Sequence, residues 1–168
     1  NGDFFSFVNW LGRAYFVNNV DQVYQYSGSG DVEVFNIQID DAPEDNHVDT
    51  CRYVFVKNDR LILFDVTEHG DWLPQRARYS PVLSTDFNAA GGGFVGDPTE
   101  ERISSAGWVS NCIVVFFQGL YSGSIWKFRT TGNSDLPFRW ERISTNDTSL
   151  APYSLTEFND GVTVVGLN

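Results

Sequence analysis

The chain has 168 residues, of which 22 are acidic and 11 are basic, so that its net charge is -11. This excess of acid repels phosphate backbones and argues against sequence-specific nucleic-acid binding through a basic face. No run approaches about 18 consecutive apolar residues, which argues against membrane insertion. Aromatic residues make up 15% of the chain. Because strands favour aromatic and β-branched side chains, the composition predicts an all-β fold.

Short polar turns followed by apolar strands recur along the chain. They are Leu11-Gly12-Arg13, Asn58-Asp59-Arg60, Val109-Ser110-Asn111 and Asn159-Asp160-Gly161. The intervals are 47 residues from Arg13 to Arg60, 51 from Arg60 to Asn111, and 50 from Asn111 to Gly161. A hairpin repeated at roughly 40–50 residues is typical of a β-propeller, in which each repeat is one small antiparallel sheet.

The spacing therefore predicts a single all-β domain or fragment, spanning 1–168, with β-propeller-like antiparallel repeats of about 50 residues. Its repeat units are approximately 1–48, 49–98, 99–148 and 149–168. These make about three and a half blades, whereas propellers close with about four to eight. We therefore expect the chain to be part of a larger ring. It has no Met at all, so we interpret it as a piece of a longer protein.

In the first unit, Val32–Ile39 alternates apolar and polar residues almost perfectly, which predicts one half-buried strand. The following segment, Asp40–Asp49, is acidic and contains Pro43, so we expect a loop there. Its carboxylates leave open whether it binds a cation such as Ca²⁺, although the spacing does not match an EF-hand.

The later units repeat the same pattern of strands and turns. Predicted strands are Tyr53–Val56, Leu61–Val66, Gln75–Tyr79, Ile103–Val109, Ile113–Phe117, Ser124–Thr130 and Phe138–Ile143. The longest loop runs from Pro81 to about Pro98 and carries Gly91-Gly92-Gly93. These glycines lack the Lys-Ser/Thr that follows in a phosphate-binding loop, so the sequence predicts a flexible loop without a ligand.

Residues that commonly carry out catalysis do not form a recognisable constellation. His47 lies in the acidic loop and His69 in a turn, both away from a nucleophile context, and we expect both to be exposed loop residues. Cys51 and Cys112 occupy different phases of the repeat and are expected to be reduced and partly buried. The sequence therefore predicts no enzyme, no catalytic or metal-ligating residues and no cofactor.

Four tryptophans support a second prediction of function. Trp72, Trp108, Trp126 and Trp140 could stack on sugars, which makes a carbohydrate-binding module that recognises surface glycans the alternative function. Trp126 and Trp140 lie in predicted strands, where core packing is the commoner role.

An ordered succession of segments resembles that of a known family. It begins with Arg52–Leu61 and Pro74–Ser80, and it continues through Asp86–Phe94, Glu101–Ile103, Ser124–Phe128, Leu136–Ile143 and Ala151–Ser154. Over roughly residues 50–168, this order resembles phage and prophage tail-associated structural proteins.

The resemblance implies a propeller-bearing component of a tail tube, nozzle or tail tip. Its role would be that of a protein–protein assembly scaffold located in the virion, with other tail proteins as partners. Propeller blades also suit a cyclic homo-oligomer, and the acidity leads to the hypothesis that the chain lines or closes the DNA channel, where it would repel passing DNA. The family brings no catalytic residues, so none are carried over to this chain.

Overall fold

A computed structural model of the chain describes residues 4–39 and 46–166. These residues form fifteen β-strands, and none of them lies in a helix. The strands build antiparallel sheets, one of which curls into a half-barrel. The predicted all-β class is therefore confirmed. The chain folds into two compact units, the first ending at Gly96 and the second beginning at Asp97.

The first unit contains nine strands in two sheets. They are β1 (Ser6–Trp10), β2 (Arg13–Val17), β3 (Tyr24–Tyr26), β4 (Glu33–Val34), β5 (Ile37–Gln38), β6 (His47–Lys57), β7 (Arg60–Glu68), β8 (Asp71–Tyr79) and β9 (Gly93–Val95). One sheet has the order β1-β2-β3-β4 and the other β5-β6-β7-β8-β9. Between β6 and β7, Asn58 and Asp59 both have positive φ, as a two-residue type I′ hairpin turn requires.

The core of the first unit lies where β1 and β2 pack against β6. It consists of Trp10, Tyr15, Val17, Val23, Ile37, Val48, Cys51, Val54, Leu61, Leu63, Val66 and Phe87. Burying one such side chain contributes about 1.5–3 kcal/mol. The two sheets are also joined by a polar contact, in which the Val54 amide donates to the Ser6 hydroxyl at 3.1 Å.

The segment Val32–Ile39 differs from the single strand predicted for it. It contains β4 and β5, which belong to different sheets. Between them the Phe35 amide donates to the carbonyl oxygen of Val23 at 2.7 Å, and the Phe35 ring packs 5.2 Å from that of Tyr15. These two contacts turn the chain from one sheet to the next, at the point where the alternation is interrupted by the adjacent apolar residues Val34 and Phe35.

Two further predictions in the first unit are corrected. Strand β6 begins at His47, so His47 and Asp49 lie in a strand and not in the predicted acidic loop. Residues 40–45 of that loop lie outside the described residues, and the question of a cation there stays open. Gly93 begins β9, so the predicted flexible loop after Pro81 contains a short strand that pairs with β8.

The second unit contains six strands, namely β10 (Arg102–Val109), β11 (Cys112–Gln118), β12 (Gly123–Thr130), β13 (Phe138–Thr145), β14 (Thr156–Glu157) and β15 (Val162–Thr163). The first four form a sheet in chain order, and β14 and β15 form a separate hairpin. All four predicted turns are confirmed, because each lies at the turn of a hairpin: β1-β2, β6-β7, β10-β11 and β14-β15.

The C-terminal segment of the second unit is held on the sheet by polar contacts. The Thr148 hydroxyl donates to the carbonyl oxygen of Phe117 at 2.7 Å, and the hydroxyl of Ser105 donates to that of Ser149 at 2.9 Å. Gly123 allows this close approach, since a Cβ there would lie 2.5 Å from the Phe117 oxygen and would overlap the Thr148 side chain. The sheet therefore needs a residue without a side chain at this point.

Three buried side chains in the first unit have altered acidity. Burial, and secondarily the Asp65 carboxylate, raises the pKa of the Cys51 thiol well above its ordinary value. Burial also raises the pKa of Tyr15 and Tyr79, against the smaller opposing effect of neighbouring arginines. All three groups therefore favour the protonated, uncharged form in the folded chain.

We predict that Gly123→Ala lowers the free energy of unfolding by about 2 kcal/mol, because the added methyl group meets backbone and Thr148 atoms that cannot both move away. Gly96→Ala is the matched control, since no atom lies within 4 Å of its Cβ position. It should change stability by less than about 1 kcal/mol. Urea denaturation of both variants measures the difference, and equal stabilities would contradict the packing argument.

We predict that stability falls as the pH rises above about 9, the ordinary pKa of a Cys thiol. Below that pH both the folded and unfolded chains hold the Cys51 proton. Above it the unfolded chain loses a proton that the folded chain keeps, which favours unfolding. Cys51→Ala should therefore reduce the slope of unfolding free energy against pH by up to about 1.4 kcal/mol per pH unit.

The control for this experiment is Val66→Ala, at the residue paired with Cys51 across the β6-β7 ladder. It destabilises the same core without removing a titratable group, so its slope between pH 9 and 10 should equal that of the native chain. A Cys51→Ala slope equal to the native one would show that the thiol does not contribute.

Candidate interaction surface

One face of the first sheet carries a row of exposed and half-exposed apolar side chains. Cross-strand pairing places Phe7 beside Phe16, Phe16 beside Tyr24, and Tyr24 beside Val34. We call Phe7, Phe16, Tyr24 and Val34 the outer row. Phe7 is 65% exposed and Val34 46% exposed, while Phe16 and Tyr24 are intermediate. The Phe7 and Phe16 rings stack with 6.3 Å between their centroids.

The outer row follows from the alternation of side chains along a strand. On β2, Tyr15 and Val17 point into the core and are fully buried, so Phe16 must point to the other face. On β1, Trp10 is buried while Phe7 is exposed. A sheet with one solvated face usually carries polar residues there. This sheet carries aromatic ones instead, and contiguous exposed apolar surface commonly marks an interaction site.

The four tryptophans named from the sequence lie in different environments. Trp72 is 51% exposed, and its indole N–H donates to a carboxylate oxygen of Asp65 at 2.7 Å, which fixes the ring. The other three are half-buried. Trp126 and Trp140 both pack edge-on against Phe117, as predicted for residues in strands. Trp72 belongs to the first unit and the other three to the second, and glycan binding through them stays a prediction.

The two histidines lie close to each other, which the sequence did not predict. The backbone N–H of His69 donates to the carbonyl oxygen of His47 at 3.1 Å. The imidazole Nε2 of His47 lies 2.8 Å from a carboxylate oxygen of Asp49, whose other oxygen accepts from the Gly70 amide at 2.7 Å. These contacts tie the β7-β8 turn to the start of β6. They hold the hairpin in place.

A charged cluster at the end of β7 was also missed by sequence reasoning. Glu68 is buried and accepts from Arg78 through both carboxylate oxygens, at 2.5 and 2.7 Å. It also accepts from Arg76 at 2.9 Å. The two arginines lie two residues apart on β8 and so point to the same face. A register containing a bulge brings them to Glu68, and the sequence carries no visible signal of that register.

A second buried carboxylate lies on β7, opposite the bulge in β8. Asp65 is fully buried and has a positive φ of 54°, which is uncommon for a residue other than glycine. Its carboxylate lies 2.7 Å from the Arg52 Nε and also accepts from Trp72. Such pairing is what a buried charge requires, because an isolated one is strongly disfavoured.

Within residues 4–39 and 46–166, no group of three or more His, Cys, Asp or Glu side chains is arranged to hold a metal ion. Nor does the described chain contain a helix with the length and apolarity needed to cross a bilayer. Cys51 is buried and Cys112 is half-buried, and the two thiols are not joined.

Comparison of the chain with protein-family models and with curated proteins finds no match. The resemblance of residues 50–168 to phage tail proteins therefore rests on the ordered segments alone.

We predict that Glu68→Gln destabilises the chain by about 3–5 kcal/mol, because it leaves the buried guanidinium of Arg78 and the half-buried one of Arg76 without the carboxylate that pairs with them. Glu141→Gln is the control, since Glu141 pairs with Arg129 on an exposed part of β12 and β13. Loss of that pair should cost less than about 1 kcal/mol. Chemical denaturation measures the free energy of unfolding of both variants. If Glu68→Gln lowers it by as little as the control does, the cluster does not stabilise the fold.

Proposed function

We propose that this chain is an assembly component of a bacteriophage or prophage tail, acting through protein–protein contacts in the virion. The observation that carries the proposal is the outer row, which presents two phenylalanines, a tyrosine and a valine on a regular sheet face. Aromatic side chains are enriched in protein interfaces and contribute much of their binding energy. A sheet from a neighbouring tail protein or from another copy of the chain fits such a face.

The order of the strands supports a propeller-like arrangement. Three runs of four consecutive strands, β1–β4, β6–β9 and β10–β13, each form an antiparallel meander in chain order. This is the connectivity of a propeller blade. The hairpin β14-β15 then corresponds to the predicted half unit. Blades bury their apolar faces against neighbouring blades. A chain that has too few blades to close a ring therefore leaves one such face exposed.

The charge of the chain also suits a position beside passing DNA. With a net charge of -11, the surface repels phosphate groups by the same electrostatics that make basic surfaces bind them. A component that lines or closes a tail channel benefits from this repulsion, because DNA does not adhere to it. The proposed role is therefore structural, and it requires no reaction by the chain.

We predict that Phe7→Ser weakens assembly, because it removes the most exposed ring of the outer row without touching the core. The control is Phe158→Ser, which changes an exposed phenylalanine of the second unit. Self-association is measured by sedimentation velocity at increasing protein concentration, and incorporation by the presence of each variant in purified virions. The native chain and the control should assemble, while Phe7→Ser should remain largely monomeric and be excluded from particles. Equal assembly of all three would contradict the role of the outer row.

A further inference from the structure

A depression of about 690 Å³ opens beside the charged cluster in the first unit. Glu68, Arg76 and Arg78 line it together with Phe94 and the amide side chains of Asn46 and Asn88. It lies on the second sheet, whereas the outer row belongs to the first. From this depression we propose that the chain binds a small carboxylate-bearing sugar, with Arg76 as the residue that receives the carboxylate.

The two arginines retain hydrogen-bond donors that Glu68 does not use. Glu68 occupies Nε and Nη2 of Arg78 but only Nη1 of Arg76. Among the described residues, the buried Nε of Arg76 has no hydrogen-bond acceptor, and Glu68 does not contact the Nη2 of Arg76 or the Nη1 of Arg78. A ligand oxygen at the Nη2 of Arg76 would accept from a donor that Glu68 leaves open.

Phe94 holds the guanidinium of Arg76 in position for this contact. The Arg76 carbon Cζ lies 4.3 Å from the centre of the Phe94 ring, and that of Arg78 lies 5.6 Å away. A guanidinium that is stacked on a ring and anchored by Glu68 has little freedom to lose when it binds, which favours affinity. Phe94 is itself 49% exposed. Its uncovered surface can pack against the C–H groups of a sugar ring.

The charge balance favours a carboxylate over a phosphate. Asp71 also lines the depression, so the two arginines and two acids among its described lining residues sum to zero. A dianionic phosphate would meet more repulsion from Asp71 and Glu68 than a single carboxylate does. One carboxylate oxygen can accept from the Nη2 of Arg76, and a hydrogen bond between charged groups is stronger than one between neutral groups.

The surroundings favour a sugar over a peptide. An extended peptide is commonly held by the backbone of a sheet edge, but the adjacent edge strand β9 has only three residues. The depression instead offers Asn46 and Asn88, whose amides can exchange hydrogen bonds with hydroxyl groups. A uronic acid carries ring C–H groups, hydroxyl groups and a carboxylate. An aromatic ring, amide side chains and a guanidinium match these three kinds of group in turn.

The test is a titration of the ¹⁵N-labelled chain with D-glucuronate, followed at the Arg76 Nε–H resonance by NMR. D-glucose is the neutral control, and inorganic phosphate and N-acetyl-trialanine, with its free carboxylate, represent the other two ligand classes. Saturable movement of the resonance with glucuronate alone, or with glucuronate at lower concentration than the others, supports the proposal. Tighter binding of phosphate or the peptide overturns it, as does the absence of any saturable shift up to 50 mM glucuronate.

Three variants separate binding from folding. Arg76→Lys keeps the charge beside Glu68 but loses the Nη2 donor and the planar group that stacks on Phe94, and should weaken glucuronate binding about tenfold or more, measured by calorimetry. Asp71→Asn removes a repelling charge and should tighten binding about two- to fivefold. Arg139→Ala, at an exposed site in the second unit, should leave the affinity unchanged. Thermal melts first establish that each variant is folded.

An Arg76→Lys affinity equal to the native one, or an Asp71→Asn affinity that falls, overturns the assignment. If Arg76→Lys does not fold, Asp71→Asn alone decides, because Asp71 is exposed and contributes no core contact. Failure of this test leaves the assembly proposal untouched, since the outer row is not involved.

Discussion

Strand β7 is buried along almost its whole length, and the first unit is organised around the polar groups that it carries into the interior. Arg60 donates to the carbonyl oxygens of Ser80 and Gly91, Asp65 pairs with Arg52, and Glu68 pairs with two arginines of β8. Each unpaired charge at such depth would cost several kcal/mol. The positions of the loop after β8 and of the bulge opposite Asp65 therefore follow from the requirement that the buried charges of β7 be paired.

The second unit meets a similar requirement with small neutral groups. Serine and threonine hydroxyls join β10 and β11 to the C-terminal segment, and glycines allow the backbones to approach closely. One carboxylate also takes part, since the side chain of Glu157 accepts from the Trp108 amide at 2.7 Å. The two units thus use different chemistry to satisfy polar groups beneath a sheet, although their meanders follow the same order of strands.

The sequence allowed the fold class and the turns to be predicted because both depend on local patterns. Asn58-Asp59 adopts its turn through intrinsic backbone preference, and period-two alternation marks the strands. What could not be predicted depends on register between distant segments. The alternation between apolar and polar residues shifts phase at Val34 and Phe35, which are adjacent apolar residues, and the break that lies there was missed. Glu68 meets Arg78 only because a bulge shifts the pairing of β7 with β8, and the exposure of Phe7 depends on which face of its sheet is covered.

The crossover at Phe35 has a consequence for how the first unit opens. Two residues separate β4 from β5, and the first of them is pinned to Val23 and to the ring of Tyr15. A connection of this length is too short to let the two sheets separate while each remains intact. Detaching one from the other must break the ladder at β4 or β5 in the same event. Amide protons in both sheets should consequently exchange with solvent through one shared cooperative opening rather than two separate ones.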